Sequence, residues 1–493
     1  MNLGIIIYIL GYVLMIEAGL MMIPCAIGFA LHEQAGIWFL AVAAFCLAAG
    51  WLIRRRKPTD QVFYLKEGCI TTAAAWLVMS LAGCMPFFLS GAIPSFTDAL
   101  FETISGFTTT GASILPRVED LPISCMFWRS FSHWIGGMGV LVFLLAIIPL
   151  SGGSHMNLMR AESPGPSVSK LVPKVRSTAR ILYFIYFVMS AILFVLLVAG
   201  RMPAFDALLL TFGTAGTGGF GVRSSSIGEY SAYCQWVIGV FMILFGVNFN
   251  AYYLIMMRKI KDAIKMEEIR GYLMMVAAAW ILIGVNLSRN MPFPGLVRHA
   301  FFQVASLATS TGFATVDFDL WPDFSKMILM ILMTIGCCAG STGGGLKVSR
   351  IILAMKAARR EISYYLHPKS VRRIKMDGHT VEQEQITGVG IYLVVFVTVF
   401  GLSMFLVMLE GVDLLTGFSS VLTTINNMGP GFNLVGPTMN FANMSTLSKY
   451  VLMFDMLAGR LELFPMLLFI HPGLWREAAE RERRRHRSSN YRQ

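Results

Sequence analysis

DALFETISGFTTTG, residues 98–111, is a short, nearly uncharged segment that ends in a glycine-centred turn between two long apolar stretches. The pattern returns as DALLLTFGTAGTGG (206–219), HAFFQVASLATSTG (299–312) and TGFSSVLTTINNMG (416–429). Laid over one another without a gap, the four segments put Gly111, Gly219, Gly312 and Gly429 in one column. Each has room for a half-length helix followed by an extended Thr/Ser/Asn/Gly turn. Irregular backbone of this kind is tolerated at membrane depth only where it lines water or is buried in protein. Four copies around one axis would make a ring of carbonyl oxygens, which is how an ion selectivity filter is built.

Composition supports a membrane setting. Hydrophobic residues make up 56% of the 493 and charged residues 14%, with a mean hydropathy of +0.64. A soluble chain of this length needs more charge to cover its surface. Apolar runs long enough to span a bilayer, about 18 residues or more, recur along the whole length. The eight cysteines show no CxxC spacing and sit mostly in apolar runs, so they read as small buried hydrophobes. The N-terminal stretch lacks a basic leader region and reads as a retained spanning helix.

The expected organisation is ten spanning helices and four pore helices. Two spans come first, near residues 3–30 and 37–53. Four units of helix, pore segment and helix follow: 68–93 with 127–152, 181–200 with 232–257, 271–288 with 326–360, and 385–410 with 445–470. The corresponding divisions are 1–60 for the extension, then 61–165, 166–262, 263–375 and 376–493, the last with a basic tail. Basic clusters at Arg54–Lys57, Lys170–Arg180, Arg258–Arg270, Lys347–Lys375 and Arg476–Arg492 all fall between units or at the C-terminus. They therefore share one side, which the positive-inside rule makes cytoplasmic together with both termini. Topology accounts for the net charge of +12, and no nucleic-acid partner is needed to explain it. Polar connections at 153–180 and 361–387 are too short for catalytic domains.

Each unit crosses the membrane twice, so all four run in the same direction, unlike inverted-repeat transporters. The expected fold is an all-α polytopic membrane protein. Four parallel helix–pore-helix–helix repeats surround a central pore with pseudo-fourfold symmetry, and two N-terminal transmembrane helices are added.

The candidate filter turns are TTTGAS (108–113), GTGGFG (216–221), STGFAT (310–315) and NMGPGF (427–432). An ion entering a medium of low dielectric faces an idealised cost on the order of 20 kcal/mol, which carbonyl oxygens offset by replacing water. Glycine at the innermost position admits unusual backbone angles and keeps a Cβ out of the lumen. Thr109, Thr110, Thr311 and Asn427 flank the glycines, and hydroxyls at such positions would add oxygens. The absence of Asp and Glu from the turns suits a weakly hydrated monovalent cation better than calcium. The alternative is four glycine-rich packing turns with no ion.

Two further features lie in the apolar spans. GCCAGSTGGGLK (336–347) interrupts the second helix of unit three, and its four glycines within Gly340–Gly345 are poor helix formers. It is not a phosphate loop, because Leu346 separates Gly345 from Lys347 and no strand is predicted before it. Helix packing eased by a kink is the alternative to a functional loop. Arg460 lies inside the last apolar helix, where a charge faces either the ion path or a partner such as Glu462 or Asp455. Glu102 reads as a scaffold for the first pore segment, and His133 with Trp128 and Trp134 as interface anchors.

TTTGAS, the AGTGGFG run, STGF and the NNMGPG turn resemble the pore loops of the Trk/Ktr/HKT superfamily of potassium transporters. The two extra N-terminal helices and the length resemble its bacterial TrkH/TrkG branch. The resemblance covers essentially the whole chain. It implies a filter for potassium formed by Thr109, Thr110, Gly111, Gly218, Gly219, Thr311, Gly312, Asn427, Met428 and Gly429. It also implies a movable gate of Gly340, Ser341, Thr342, Gly343, Gly344, Gly345 and Lys347, with Arg460 beside it. The fourth turn, with Asn427, Met428 and Pro430, departs most from the TTG pattern. Potassium is the transported ligand and no organic cofactor is expected. A homodimer in the bacterial inner membrane is implied, with a TrkA-like cytoplasmic ring of nucleotide-binding regulatory subunits. A symporter coupling potassium to protons or sodium is the alternative, and an intramembrane enzyme ranks last for want of a nucleophile–base pair.

Overall fold

The computed structural model describes residues 2–55, 58, 64–139, 175–288, 292–369 and 372–476. Helices α1 (Leu3–Ala30) and α2 (Ala35–Arg54) form an antiparallel hairpin. Glycines let their backbones touch: a methyl group on Gly50 would lie 2.6 Å from the Gly11 carbonyl oxygen, and one on Gly28 would lie 2.6 Å from the Gly36 Cα. Small residues at helix crossings are the usual means of close packing in lipid.

Four units follow in chain order. Unit one holds α3 (Leu65–Leu89), the short α4 (Phe96–Phe107) and α5 (Ile123–Gly137). Unit two holds α6 (Val175–Ala199), the short α7 (Ala204–Gly216), α8 (Ala232–Phe245) and α9 (Phe249–Met256). The small α10 (Ile260–Lys265) leads into unit three, which comprises α11 (Glu267–Leu287), α12 (Phe293–Ala308), α13 (Asp323–Ile335) and α14 (Val348–Leu366). A hairpin of β1 (Lys375–Met376) and β2 (His379–Thr380), with Lys375 opposite Thr380, precedes unit four. That unit holds α15 (Gln383–Met408), α16 (Leu414–Ile425), α17 (Thr446–Arg460) and α18 (Phe464–Ile470). The fold is the all-α arrangement of four repeats with two added N-terminal helices.

The short helices α4, α7, α12 and α16 have 12, 13, 16 and 12 residues. At 1.5 Å per residue, 12 residues rise about 18 Å, roughly half a bilayer's thickness. Their starts are set locally. Ser95 and Asp413 accept hydrogen bonds from the backbone of Asp98 and Thr416, whereas Pro203 and Pro292 immediately precede α7 and α12.

The structure breaks more of the expected spans than the one in unit three. Among the described residues six helices are long and apolar enough to cross a bilayer, or seven if the pair α8/α9 counts as one. The sequence reading placed a break only in unit three. In fact α8 and α9 meet at 90°, because Asn248 caps a new helix by accepting from the Asn250 amide. Unit four breaks between α17 and α18, where Glu462 and Leu463 take φ of +59° and +64°. Nothing in their residue types announces such angles. The continuation of unit one's second span beyond residue 139, and the Arg476–Arg492 cluster, lie outside the described residues.

Candidate functional site

The four short helices end in the same way. Each closes with a hydrogen bond from the residue before the column glycine to the carbonyl five positions back: Thr110 to Ser105, Gly218 to Gly213, Thr311 to Ser306 and Met428 to Thr423, at 2.7 to 2.9 Å. The preceding residues Thr109, Thr217, Ser310 and Asn427 donate to Gly106, Thr214, Leu307 and Thr424. This is the Schellman closure, which normally places glycine at the left-handed position. Here that position carries a polar side chain every time, with φ of +58°, +55°, +56° and +52°. Left-handed backbone costs an L-residue about 1–2 kcal/mol, so the surrounding structure must hold all four corners.

The column glycines then form a closed ring. A methyl on Gly111 would lie 2.4 Å from the Gly219 nitrogen, and one on Gly219 would lie 2.6 Å from the Thr311 carbonyl oxygen. One on Gly312 would lie 3.0 Å from the Gly429 nitrogen, and one on Gly429 would lie 2.6 Å from the Gly111 carbonyl oxygen. The order therefore runs from unit one through two, three and four and back to one. Gly111 and Gly312 also need φ of +78° and +85°. Backbone carbonyls of Thr110, Gly111 and Thr311 sit at the joints between neighbouring turns. The carbonyl end of each short helix, where the helix dipole is negative, leads into this ring.

Side chains contribute less than the sequence suggested. The hydroxyls of Thr110 and Thr311 are engaged with those of Thr108 and Thr309, at 2.8 and 2.7 Å. Met428 is fully buried in the core around Phe432, so only its backbone is available to the ring. Gly218 lies flat against His133, whose ring a methyl would meet at 2.6 Å.

His133 corrects an expectation. It is completely buried, with Nδ1 2.7 Å from the Gly106 carbonyl and Nε2 accepting from the Phe220 amide at 3.3 Å. Both contacts are met by the neutral imidazole with its proton on Nδ1. Trp128 is equally buried and donates to the Gly83 carbonyl; Trp134 donates to Ser190. His133 and Trp128 are thus buried braces, whereas Trp134 is half-buried and packs on Tyr186 and Phe212. Glu102 holds the first turn directly, accepting from Ser113 and from the Ile114 amide at 2.9 Å each. Arg129, which the sequence reading passed over, pairs with Glu102 at 2.5 Å and donates to the Gly221 carbonyl, joining units one and two.

Above the ring a cavity of about 120 Å³ takes its walls from all four turns, including Gly111, Gly219, Gly312 and Gly429. Below it the free space shrinks to about 40 Å³, lined by Ser341, Gly343, Gly344, Gly345, Lys347, Asn427 and Arg460. Gly340 sits at the start of the same loop, against Asn248 of the α8/α9 break, and its carbonyl accepts from Phe249.

Arg460 fills the space beneath the ring. It donates to the carbonyls of Thr342 at 2.7 Å, Gly136 at 2.5 Å and Gly137 at 2.7 Å, and approaches the Thr109 hydroxyl at 3.4 Å. The alternative partners are occupied elsewhere: Glu462 pairs with Arg350, and Asp455 accepts from Ser403 at 2.6 Å. Lys347 is buried and donates to the carbonyls of Gly343 and Gly344. Lys347 thus lies where the sequence reading put it, whereas Arg350, read only as part of a cytoplasmic basic cluster, packs beside it and donates to the Leu346 carbonyl. Glu268, also missed, accepts from the amides of Ala339 at 2.6 Å and Ser349 at 3.2 Å. It pins both ends of the glycine loop. A buried charge at membrane depth was the signal, but its place in the run EEIR hid it.

Comparison with known proteins agrees with this geometry. The family model described as TrkH, cation transport protein, matches residues 33–287 and 274–475. The chain is 35% identical over 480 residues to the Trk system potassium uptake protein TrkH of Salmonella typhimurium, covering 95% of this chain and 98% of that protein. It is 32% identical to the potassium uptake protein TrkG of Escherichia coli, covering 88% and 90%. The crystal structure of the potassium transporter TrkH from Vibrio parahaemolyticus superposes with a TM-score of 0.87 at 29% identity, over 96% of this chain and 100% of that one. A family of cation transporters, not of enzymes, matches most of the sequence: this chain belongs to the TrkH cation transport family.

Proposed function

We propose that this protein carries potassium into the cell across the bacterial inner membrane through a channel-like pore. The closed ring of Gly111, Gly219, Gly312 and Gly429 is the observation that carries this reading. Main-chain oxygens from Thr109–Gly111, Gly218–Gly219, Thr311–Gly312 and Asn427–Gly429 replace the ion's water, with potassium as substrate and no resident cofactor. The loop Gly340–Gly345, Lys347 and Arg460 close the path from below. The difference in free space on the two sides of the ring supports this assignment. Two positive side chains at the constriction oppose a cation electrostatically.

The relatives' names, as members of a Trk system, support assembly with a regulatory partner. We place a TrkA-like ring of nucleotide-binding subunits on the basic face, with both termini on that cytoplasmic side. The protein acts as a homodimer with a pore in each chain.

The test is tracer rubidium uptake into vesicles, with potassium and sodium as competitors, for wild type and Gly111→Ser. The serine variant should lose preference for potassium and rubidium over sodium; an unchanged preference would remove the filter assignment. Tracer exchange in the absence of a proton or sodium gradient separates a channel from a coupled symporter.

A further inference from the structure

The four left-handed corners beneath the ring are alike in backbone and unlike in what their side chains hold. Thr217 turns its hydroxyl onto the Gly216 carbonyl of its own turn, at 2.6 Å. Asn427 donates to the Met456 carbonyl at 2.8 Å and to the Thr110 hydroxyl at 3.1 Å. Thr109 lies 3.4 Å from Arg460. Ser310 differs: its hydroxyl accepts from the Gly344 amide at 2.6 Å, inside the glycine loop. The loop presses on the same corner at Gly343, where a methyl would stand 2.7 Å from the Thr309 carbonyl and 3.2 Å from the Ser310 hydroxyl. Both Ser310 and Gly344 are buried.

We propose that Ser310 is a positioning residue that latches the glycine loop to the third filter turn, so that the loop cannot leave the ion path without releasing that turn. This rests on the reading that the loop closes the path below the ring. Glycine at 310 would relieve the left-handed backbone and lose the latch, which gives the chain a reason to keep a strained serine there. The hydrogen bond joins two segments that are separately well formed: Ser310 is fixed by its helix closure, and the loop by Glu268 at both ends. Breaking it removes the tether between loop and filter turn, leaving the middle of the loop to Arg460 and Lys347, without unfolding either anchor.

The experiment measures basal rubidium flux through the full chain in vesicles for Ser310→Ala, Ser310→Gly and Ser310→Thr. Each is compared with wild type and with a deletion of Gly343–Gly345. Ser310→Ala and Ser310→Gly should raise basal flux several-fold and speed hydrogen exchange at the Gly344 amide. Ser310→Thr should keep wild-type behaviour, because Thr109 and Thr217 already occupy this conformation in the same chain. In the deletion background Ser310→Ala should add nothing. If the deletion raises flux while Ser310→Ala and Ser310→Gly leave flux and exchange unchanged, the latch is overturned and the gate stands. If the deletion itself leaves flux unchanged, the gate reading fails and the latch with it. A changed rubidium-to-sodium preference with unchanged basal flux would overturn the latch by making the hydroxyl an ion ligand.

Discussion

The guanidinium of Arg460 meets the carbonyl of Thr342 at 2.7 Å, tying the last spanning helix of unit four to the broken helix of unit three. The same side chain reaches the carbonyls of Gly136 and Gly137 in unit one. Three units are thus joined under the ring by one planar group, and only arginine has the fork to do it.

Arg460→Ala should raise basal rubidium flux in vesicles at least about tenfold, since hydrogen bonds to charged groups contribute about 1.5–3 kcal/mol each. Arg460→Lys should fall between, keeping the charge and losing the fork. Flux at or below wild type in correctly inserted Arg460→Ala would assign the residue to packing alone.

Gly219, wedged against the third turn, should tolerate nothing larger. Gly219→Ala places a methyl 2.6 Å from the Thr311 carbonyl oxygen, and rubidium uptake should be lost. Gly284→Ala is the control, because open space surrounds that position in α11. It should leave uptake intact and raise thermal stability by about 0.5–1 kcal/mol, the helical preference for alanine.

Arg129→Met should destabilise the protein by about 3–5 kcal/mol, because it leaves the Glu102 carboxylate buried without its partner. Melting in detergent measures this. Adding Glu102→Gln to Arg129→Met should recover much of the loss while ion preference stays impaired. Equal melting temperatures for Arg129→Met and wild type would show that the pair does not hold the first turn.

Glu268→Ala should accelerate hydrogen exchange at Ala339 and Ser349, whose amides lose their acceptor. Glu268→Gln retains an acceptor oxygen and should show a smaller effect. Exchange that is unchanged in both variants would release the loop ends from Glu268.

The ring was legible because its requirement is local: a glycine at a fixed distance from the end of a short apolar helix, four times over. Glu102 was legible for the same reason, lying in the short helix that leads into the turn it holds. The breaks in units two and four were not, because Asn248 caps a helix in mid-membrane and Glu462 and Leu463 adopt angles that neither residue prefers. His133 and Trp128 carry the residue types of an interfacial belt, and only the fold distinguishes that from a buried brace. Arg350 was hidden by company, since the run of basic residues after it does continue into exposed helix. Ser310 gave no signal: its importance lies in the partner it meets, which is 34 residues away.

Gly429 rests on Gly111, so the first and last units to leave the ribosome are neighbours in the finished circle. The circle therefore has a seam where the chain's beginning meets its end, and it is complete only once the fourth turn is in place. Having all four turns in one polypeptide also lets each vary independently, which an assembly of identical subunits does not allow.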